Sequence, residues 1–255
     1  MQVSETRAIV TGGASGLGLA TAQMIIAGGG RVALFDVNEQ AGAEALQSLG
    51  TAASFQKVDV TSERSVIDAV HAAAAAMGGL NAAINCAGVG NPRKLVGKDG
   101  AMPADFFRRV VEINLVGTLL VCAHAAASMQ RNAAAANGER GVLVMTASVA
   151  AFDGQIGQVA YAASKGGVVG MTLPMARELA GSGIRVMTIA PGLFETPMLA
   201  ALPDEAKASL GQQVPFPPRL GYPAEYAMLV QQVIENPMLN GETVRLDGAI
   251  RMAPR

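Results

Sequence analysis

Tyr161 and Lys165 stand four residues apart, in Tyr-x-x-x-Lys, within a stretch of helical spacing. On a helix that separation puts both side chains on one face. A phenol beside an ammonium suits proton exchange with an alcohol. Taking a hydride from a carbinol requires its hydroxyl proton to be removed, and the reverse requires one to be supplied. The ordinary phenol pKa is about 10, so work near neutrality asks for roughly 4 kcal/mol in favour of the phenolate. An ammonium about 4 Å away, at an effective dielectric near 20, is worth an amount of that order. Lys165 is therefore expected to draw Tyr161 down toward neutrality. Ser148, just past an apolar strand and thirteen positions before Tyr161, is placed to hold the substrate oxygen.

A second constellation lies near the start. Thr11-Gly12-Gly13-Ala14-Ser15-Gly16-Leu17-Gly18 follows a short apolar run and opens a helical one, with Gly12, Gly16 and Gly18 in the spacing GxxxGxG. Glycines there permit a tight turn and let a pyrophosphate approach the N–H groups of a helix N-terminus. Asp36 ends the next β-like run, about twenty residues on, where an acid accepts hydrogen bonds from the adenosine ribose. Its charge would repel a 2′-phosphate, and neither Ala14 nor Ser15 is basic, so the pattern favours NAD over NADP; the oxidised nicotinamide would then add its positive charge to that of Lys165 in lowering Tyr161.

These residues need a frame. Short β-like runs at Arg7–Thr11, Arg31–Asp36, Ala53–Val58, Leu80–Asn85, Gly141–Thr146, Ile184–Ile189 and Thr243–Leu246 alternate with helical stretches. The helical stretches are Gly16–Ala27, Glu39–Leu49, Ser62–Met77, Asp105–Met129, Tyr161–Leu179 and Pro223–Glu235. Such alternation predicts βαβ units and a parallel sheet with helices on both faces. One α/β domain over residues 1–255 follows, with two irregular insertions, at 91–104 and at 193–222, the second around a short helix expected at Asp204–Leu210. The second carries Leu199, Leu202 and Leu210 and reads as an apolar lid.

The chain's 255 residues include 19 Lys+Arg and 20 Asp+Glu, a net charge of -1, which gathers neither nucleic acid nor anionic membrane. Hydrophobic residues reach 51%, enough for a large core and too many for a disordered chain. No apolar run stands out as a membrane span. Met1–Thr6 lacks the pattern of a secretory signal. Two cysteines, Cys86 and Cys122, make no disulfide framework, so a cytoplasmic, reducing setting is expected. His71 and His124 stand alone, and no metal-ligand spacing occurs.

Taken in order, Thr11–Gly18, Asp59-Val60, Asn85-Cys86-Ala87-Gly88, Asn114, Ser148, Tyr161, Lys165, Pro191-Gly192 and Thr196 make the chain resemble the short-chain dehydrogenase/reductase family. The resemblance implies a single Rossmann-type, doubly wound domain with a seven-stranded parallel sheet. It implies that Asp59 and Val60 hold the adenine and that Gly12, Ser15, Leu17, Cys86 and Phe194 line the dinucleotide. Lys165 would bond the nicotinamide ribose and Thr196 the carboxamide, with Asn114 anchoring a water-linked proton relay to Lys165. Longer strings, such as Ile184–Phe194 and Asn240–Met252, resemble the type II 3-hydroxyacyl-CoA dehydrogenase group. They imply an acyl-CoA substrate, contact with it from Gln155, and fatty acid or isoleucine breakdown. Glu195, the insert 91–104 and the segment 199–212 depart from that group, and all three bear on substrate choice. Dehydrogenation of a steroid or another secondary alcohol, carrier-protein reduction and a scaffold role stay open as alternatives.

Two further expectations come from the residues. Arg93, Lys94 and Lys98 against Asp99 give the insert a local charge of +2, suited to coenzyme A phosphates. The stretch Asp105–Met129 is apolar nearly all round, so its outer face is expected to meet another subunit; the family's usual assembly is a homotetramer.

Overall fold

The computed structural model describes residues 1–200 and 203–254. Among the described residues there are nine strands: β1 Arg7–Thr11, β2 Arg31–Asp36, β3 Ala53–Lys57, β4 Ala82–Asn85, β5 Val96–Gly97, β6 Gly100–Ala101, β7 Gly141–Thr146, β8 Ile184–Pro191 and β9 Thr243–Leu246. The α-helices are α1 Gly16–Ala27, α2 Glu39–Leu49, α3 Glu63–Met77, α4 Ala104–Val111, α5 Gly117–Met129, α6 Val159–Ala180, α7 Pro197–Ala200, α8 Asp204–Gln212 and α9 Pro223–Glu235.

Seven strands form one parallel sheet in the order β3-β2-β1-β4-β7-β8-β9. This is the expected doubly wound arrangement. Alternate strand residues feed two cores. Ile9, Phe35 and Leu143 pack with α3, α5 and α6 on one face. Val10, Leu34 and Val144 pack with α1, α2 and α9 on the other. Every residue of β7 is buried, which accounts for its unbroken apolar run.

The chain winds outward from β1 to β3 and then crosses back, so β1 has β2 on one side and β4 on the other. Thr11 is in register with Phe35 and Asn85. The loops leaving β1 and β4 diverge there, opening the crevice in which ligands of such sheets collect.

Three expectations need correction. The stretch predicted as one helix from Asp105 starts at Ala104 and contains a π-helical turn, Glu112–Val116. That extra residue per turn presents the fully buried Asn114 inward. The combined helix Ala104–Met129 is also long and apolar enough to cross a membrane by length and composition. Its packing against α3, β4, β7 and α6 accounts for much of that character. The insert 91–104 is not wholly irregular: β5 and β6 pair as a hairpin around Lys98-Asp99. Within the predicted lid, α8 covers the short helix expected at Asp204–Leu210, α7 is formed as well, and Leu202 lies outside the described residues.

Candidate active site

At the carboxyl edge of the sheet lies a cavity of about 870 Å³. Its walls bring together Gly12, Ser15, Leu17, Asp36, Asp59, Val60, Cys86, Ser148, Tyr161, Lys165, Phe194 and Thr196, residues that are scattered along the chain.

The glycine turn builds one end. Gly12 has φ +62, and a Cβ there would lie 2.9 Å from the Ala87 nitrogen. A Cβ on Gly18 would lie 2.3 Å from the Gly12 carbonyl oxygen. Side chains at these positions would push β1 and α1 apart and fill the cradle. Thr11 ties the two crossover loops, because its Oγ1 accepts from Ala87 N at 3.1 Å and its carbonyl from Cys86 N at 3.1 Å. Asp36 is half-buried at the tip of β2; its carboxylate accepts from Ala14 N at 3.2 Å and Asn38 N at 3.1 Å. Asp59 accepts from the N–H and hydroxyl of Thr61 at 2.9 and 2.7 Å, which fixes the turn beyond β3. A helix N-terminus without a side-chain cap, a glycine cradle and a carboxylate one strand away fit the pyrophosphate and ribose of a dinucleotide.

The other end holds the reactive side chains. Ser148 Oγ accepts from Ala150 N at 3.1 Å, which turns its own proton toward Tyr161 and the cavity. Lys165 is buried, and its Nζ donates to the Thr146 carbonyl at 2.7 Å. Burial lowers its pKa to about 8. Its Nζ lies 5.9 Å from the centre of the Tyr161 ring. Burial also raises the Tyr161 phenol above its ordinary value, against an opposing hydrogen bond with Ser148. The expected lowering of Tyr161 rests on two positive charges, Lys165 and the oxidised nicotinamide, and Lys165 does not offset the desolvation. Of the three ammonium protons of Lys165, one is directed at the Thr146 carbonyl.

Asn114 stands behind this wall. Its Oδ1 accepts from Val89 N at 2.8 Å, while Nδ2 donates to Val89 O at 2.9 Å and Ser164 Oγ at 3.0 Å. Ser164 in turn donates to the Tyr161 carbonyl at 2.8 Å. The side chain thus braces the first turn of α6 against the β4 loop. Behind the cleft, Thr146 Oγ1 lies 2.7 Å from Tyr226 Oη and 3.6 Å from Cys86 Sγ. Desolvation raises the Cys86 thiol, which keeps it protonated and unreactive.

Gln155 lies beside the cavity and is not among the described residues of its wall. Its Nε2 donates to the Ala253 carbonyl at 2.8 Å. Leu199 lines the cavity and Leu210 does not. Arg93, Lys94 and Lys98 are exposed outside it. The Arg93 guanidinium lies 5.4 Å from the centre of the Phe106 ring. Arg109, Glu112 and Met252 line the cavity but were not foreseen. Arg109, Glu112 and Ile113 share a face at i, i+3 and i+4, a signal readable in the sequence. Met252 has no such signal.

Comparison with known proteins adds a family. The family model described as short chain dehydrogenase matches residues 6–207. A Bos taurus protein named 3-hydroxyacyl-CoA dehydrogenase type-2 is 53% identical over 249 residues, 97% of this chain and 95% of its own. A Drosophila melanogaster protein of the same name is 52% identical over 248 residues, 96% and 97% of the two chains. The crystal structure of 3-hydroxyacyl-CoA dehydrogenase type-2 from Mycobacterium avium superposes with a TM-score of 0.91 at 43% identity, covering 97% of this chain and 96% of that one.

Proposed function

Since the chain belongs to the short-chain dehydrogenase family, and is an oxidoreductase on that ground, we propose that it interconverts 3-hydroxyacyl-CoA and 3-oxoacyl-CoA with NAD as the hydride carrier. One observation carries the reading: Ser148, Tyr161 and Lys165 share a cavity whose far end is the glycine cradle with Asp36 beside it. The substrate class is supported by relatives of that name at over half identity along nearly the whole chain.

Gly12, Ser15, Leu17, Asp36, Asp59, Val60, Cys86, Phe194 and Thr196 would hold NAD. Bound there, the oxidised nicotinamide would take up the hydride and add the positive charge that lowers Tyr161. In reduction, Ser148 donates a hydrogen bond to the carbonyl oxygen while Tyr161 Oη delivers the proton. In oxidation, Tyr161 accepts that proton from the hydroxyl. Lys165 holds a positive charge behind Tyr161, and its bond to Thr146 keeps the ammonium from turning away. Asn114 holds the first turn of α6, and with it Tyr161, in register with the β4 loop. Asp36 favours NAD because a 2′-phosphate would meet like charge.

Homotetramer formation is supported by the half-covered outer face of the Ala104–Met129 helix, where Leu119 is 43% exposed. A cytoplasmic setting is supported by the two free cysteines.

The reading is tested by NADH-dependent reduction of acetoacetyl-CoA compared with a small uncharged ketone. Binding of the coenzyme A handle contributes to the transition state, so kcat/KM should favour the thioester by about 100-fold or more. Equal kcat/KM for the two substrates would overturn the proposed substrate class.

A further inference from the structure

The segment Asp247–Pro254 follows the last strand of the sheet and is laced to the active site rather than trailing in solvent. Asp247 begins it. One carboxylate oxygen accepts from Ala249 N at 2.9 Å, and the other from Arg245 Nε at 2.7 Å and Arg251 Nη1 at 3.3 Å. Ala249 is held at φ +68, a conformation that favours glycine, and Ile250 beside it is 1% exposed. Arg245 extends the network, pairing with Asp153 and donating to the Ile250 carbonyl at 2.9 Å. Further on, Ala253 O accepts from Gln155 Nε2 at 2.8 Å and Pro254 O from Ile156 N at 3.0 Å. On the other side, Gly248 O accepts from Phe216 N at 3.3 Å.

The segment is therefore a strap. It joins the loop 153–158, which leads into the helix bearing Tyr161, to the lid segment 213–221. Between its two anchors at Ile250 and Ala253, Met252 forms part of the cavity wall that also contains Ser148, Val149, Tyr161 and Leu199. It has no counterpart among the residues assigned to cofactor or proton transfer. A thioether on an unbranched stem is apolar and adaptable, a suitable surface for an alkyl chain. The backbone carrying it is fixed from both sides, so the side chain's volume, rather than movement of the strap, decides how much room is left.

We propose that Met252 sets the length of the acyl chain accepted at Ser148 and Tyr161, with Asp247–Pro254 as the strap that holds it in place. The proposal rests on the 3-hydroxyacyl-CoA reading for the identity of the chain being measured, though not for the existence of the wall. Gln155 acts here as a positioning residue, through its bond to Ala253.

The test compares wild type with Met252→Ala, Met252→Phe and Met252→Leu. NADH-dependent kcat/KM is measured for acetoacetyl-CoA and for 3-oxooctanoyl-CoA, and the readout is the ratio of long to short. Because single methylenes in an apolar pocket change specificity by about tenfold or more, the Ala variant should raise the ratio by at least about tenfold. The Phe variant should lower it by a similar factor, and Leu should leave it within about twofold. A merely structural role for Met252 would move both substrates together. A ratio constant across all variants overturns the proposal. If the wild type prefers uncharged ketones to thioesters, the acyl-CoA reading fails. The same ratio is then taken for 2-octanone over 2-butanone. The strap proposal stands if that ratio shifts as stated and falls if it does not.

Discussion

Lys165 Nζ donates to the carbonyl oxygen of Thr146 at 2.7 Å, anchoring helix α6 to the last residue of strand β7. That bond fixes where the lysine's charge sits, and burial determines when the charge is lost.

Reduction should therefore have an alkaline limb set by Lys165. Its pKa is lowered to about 8, so the ammonium is complete well below that pH and is lost as pH rises through it. Tyr161 is shifted the other way and stays protonated across the same range. The kcat/KM for a ketone at saturating NADH should stay level to near pH 7 and fall by one proton with a midpoint near 8. A profile level to pH 10 would contradict this assignment.

The same burial has a cost to stability. A lysine held at about 8 instead of 10.5 costs the fold roughly 3 kcal/mol at neutral pH, at about 1.4 kcal/mol per pKa unit. Between those values the folded state has released a proton that the unfolded state still binds, so wild-type stability should rise with pH there. Lys165→Met removes the charge, at the expense of leaving the Thr146 carbonyl unpaired. Urea unfolding should show the variant more stable than wild type at pH 7, by about 1 kcal/mol or more, with the advantage shrinking toward pH 10. Turnover should be lost. A variant less stable by the same amount at both pH values would refute the argument.

Cofactor choice should follow Asp36. The wild type is expected to prefer NADH to NADPH, and Asp36→Ala to narrow the gap, because the carboxylate facing the glycine turn is the charge that a 2′-phosphate would meet. Titration of both cofactors with both proteins gives the answer. Equal kcat/KM for NADH and NADPH in the wild type would rule the role out.

The hairpin insert offers a separable test. Arg93, Lys94 and Lys98 lie outside the cavity wall and are exposed, so their pull on phosphates is screened by salt. Neutralising all three should raise KM for acetoacetyl-CoA by about threefold to tenfold and leave KM for an uncharged ketone unchanged. Added salt should weaken the thioester's binding in the wild type. An equal response from both substrates would show that the insert does not serve coenzyme A.

Much of this site is readable because its chemistry is local. Tyr161 and Lys165 need only a helix, the glycine turn needs only a strand followed by a helix, and Asp36 needs only the end of the next strand. All of these elements are marked by the alternation of short apolar runs with longer Ala-rich stretches. What escapes is what tertiary contact decides. Met252 reaches the wall from a strap fastened by Arg245, Gln155 and Ile156, and no pattern around Met252 encodes those partners. The π turn that orients Asn114 depends on a bond to Val89, twenty-five residues away. The proton affinity of Tyr161 depends on how deeply the assembled fold buries it, which residue spacing does not report.

The central claim, that Tyr161 carries the proton while the rest of the cleft holds the cofactor, is tested most directly by Tyr161→Phe. The ring still packs without its hydroxyl. NADH binding, followed by its fluorescence, should keep the wild-type affinity within about threefold, whereas kcat for acetoacetyl-CoA reduction should fall by at least about 100-fold, the range general acid catalysis contributes. Retention of more than about one hundredth of the wild-type kcat would contradict the account.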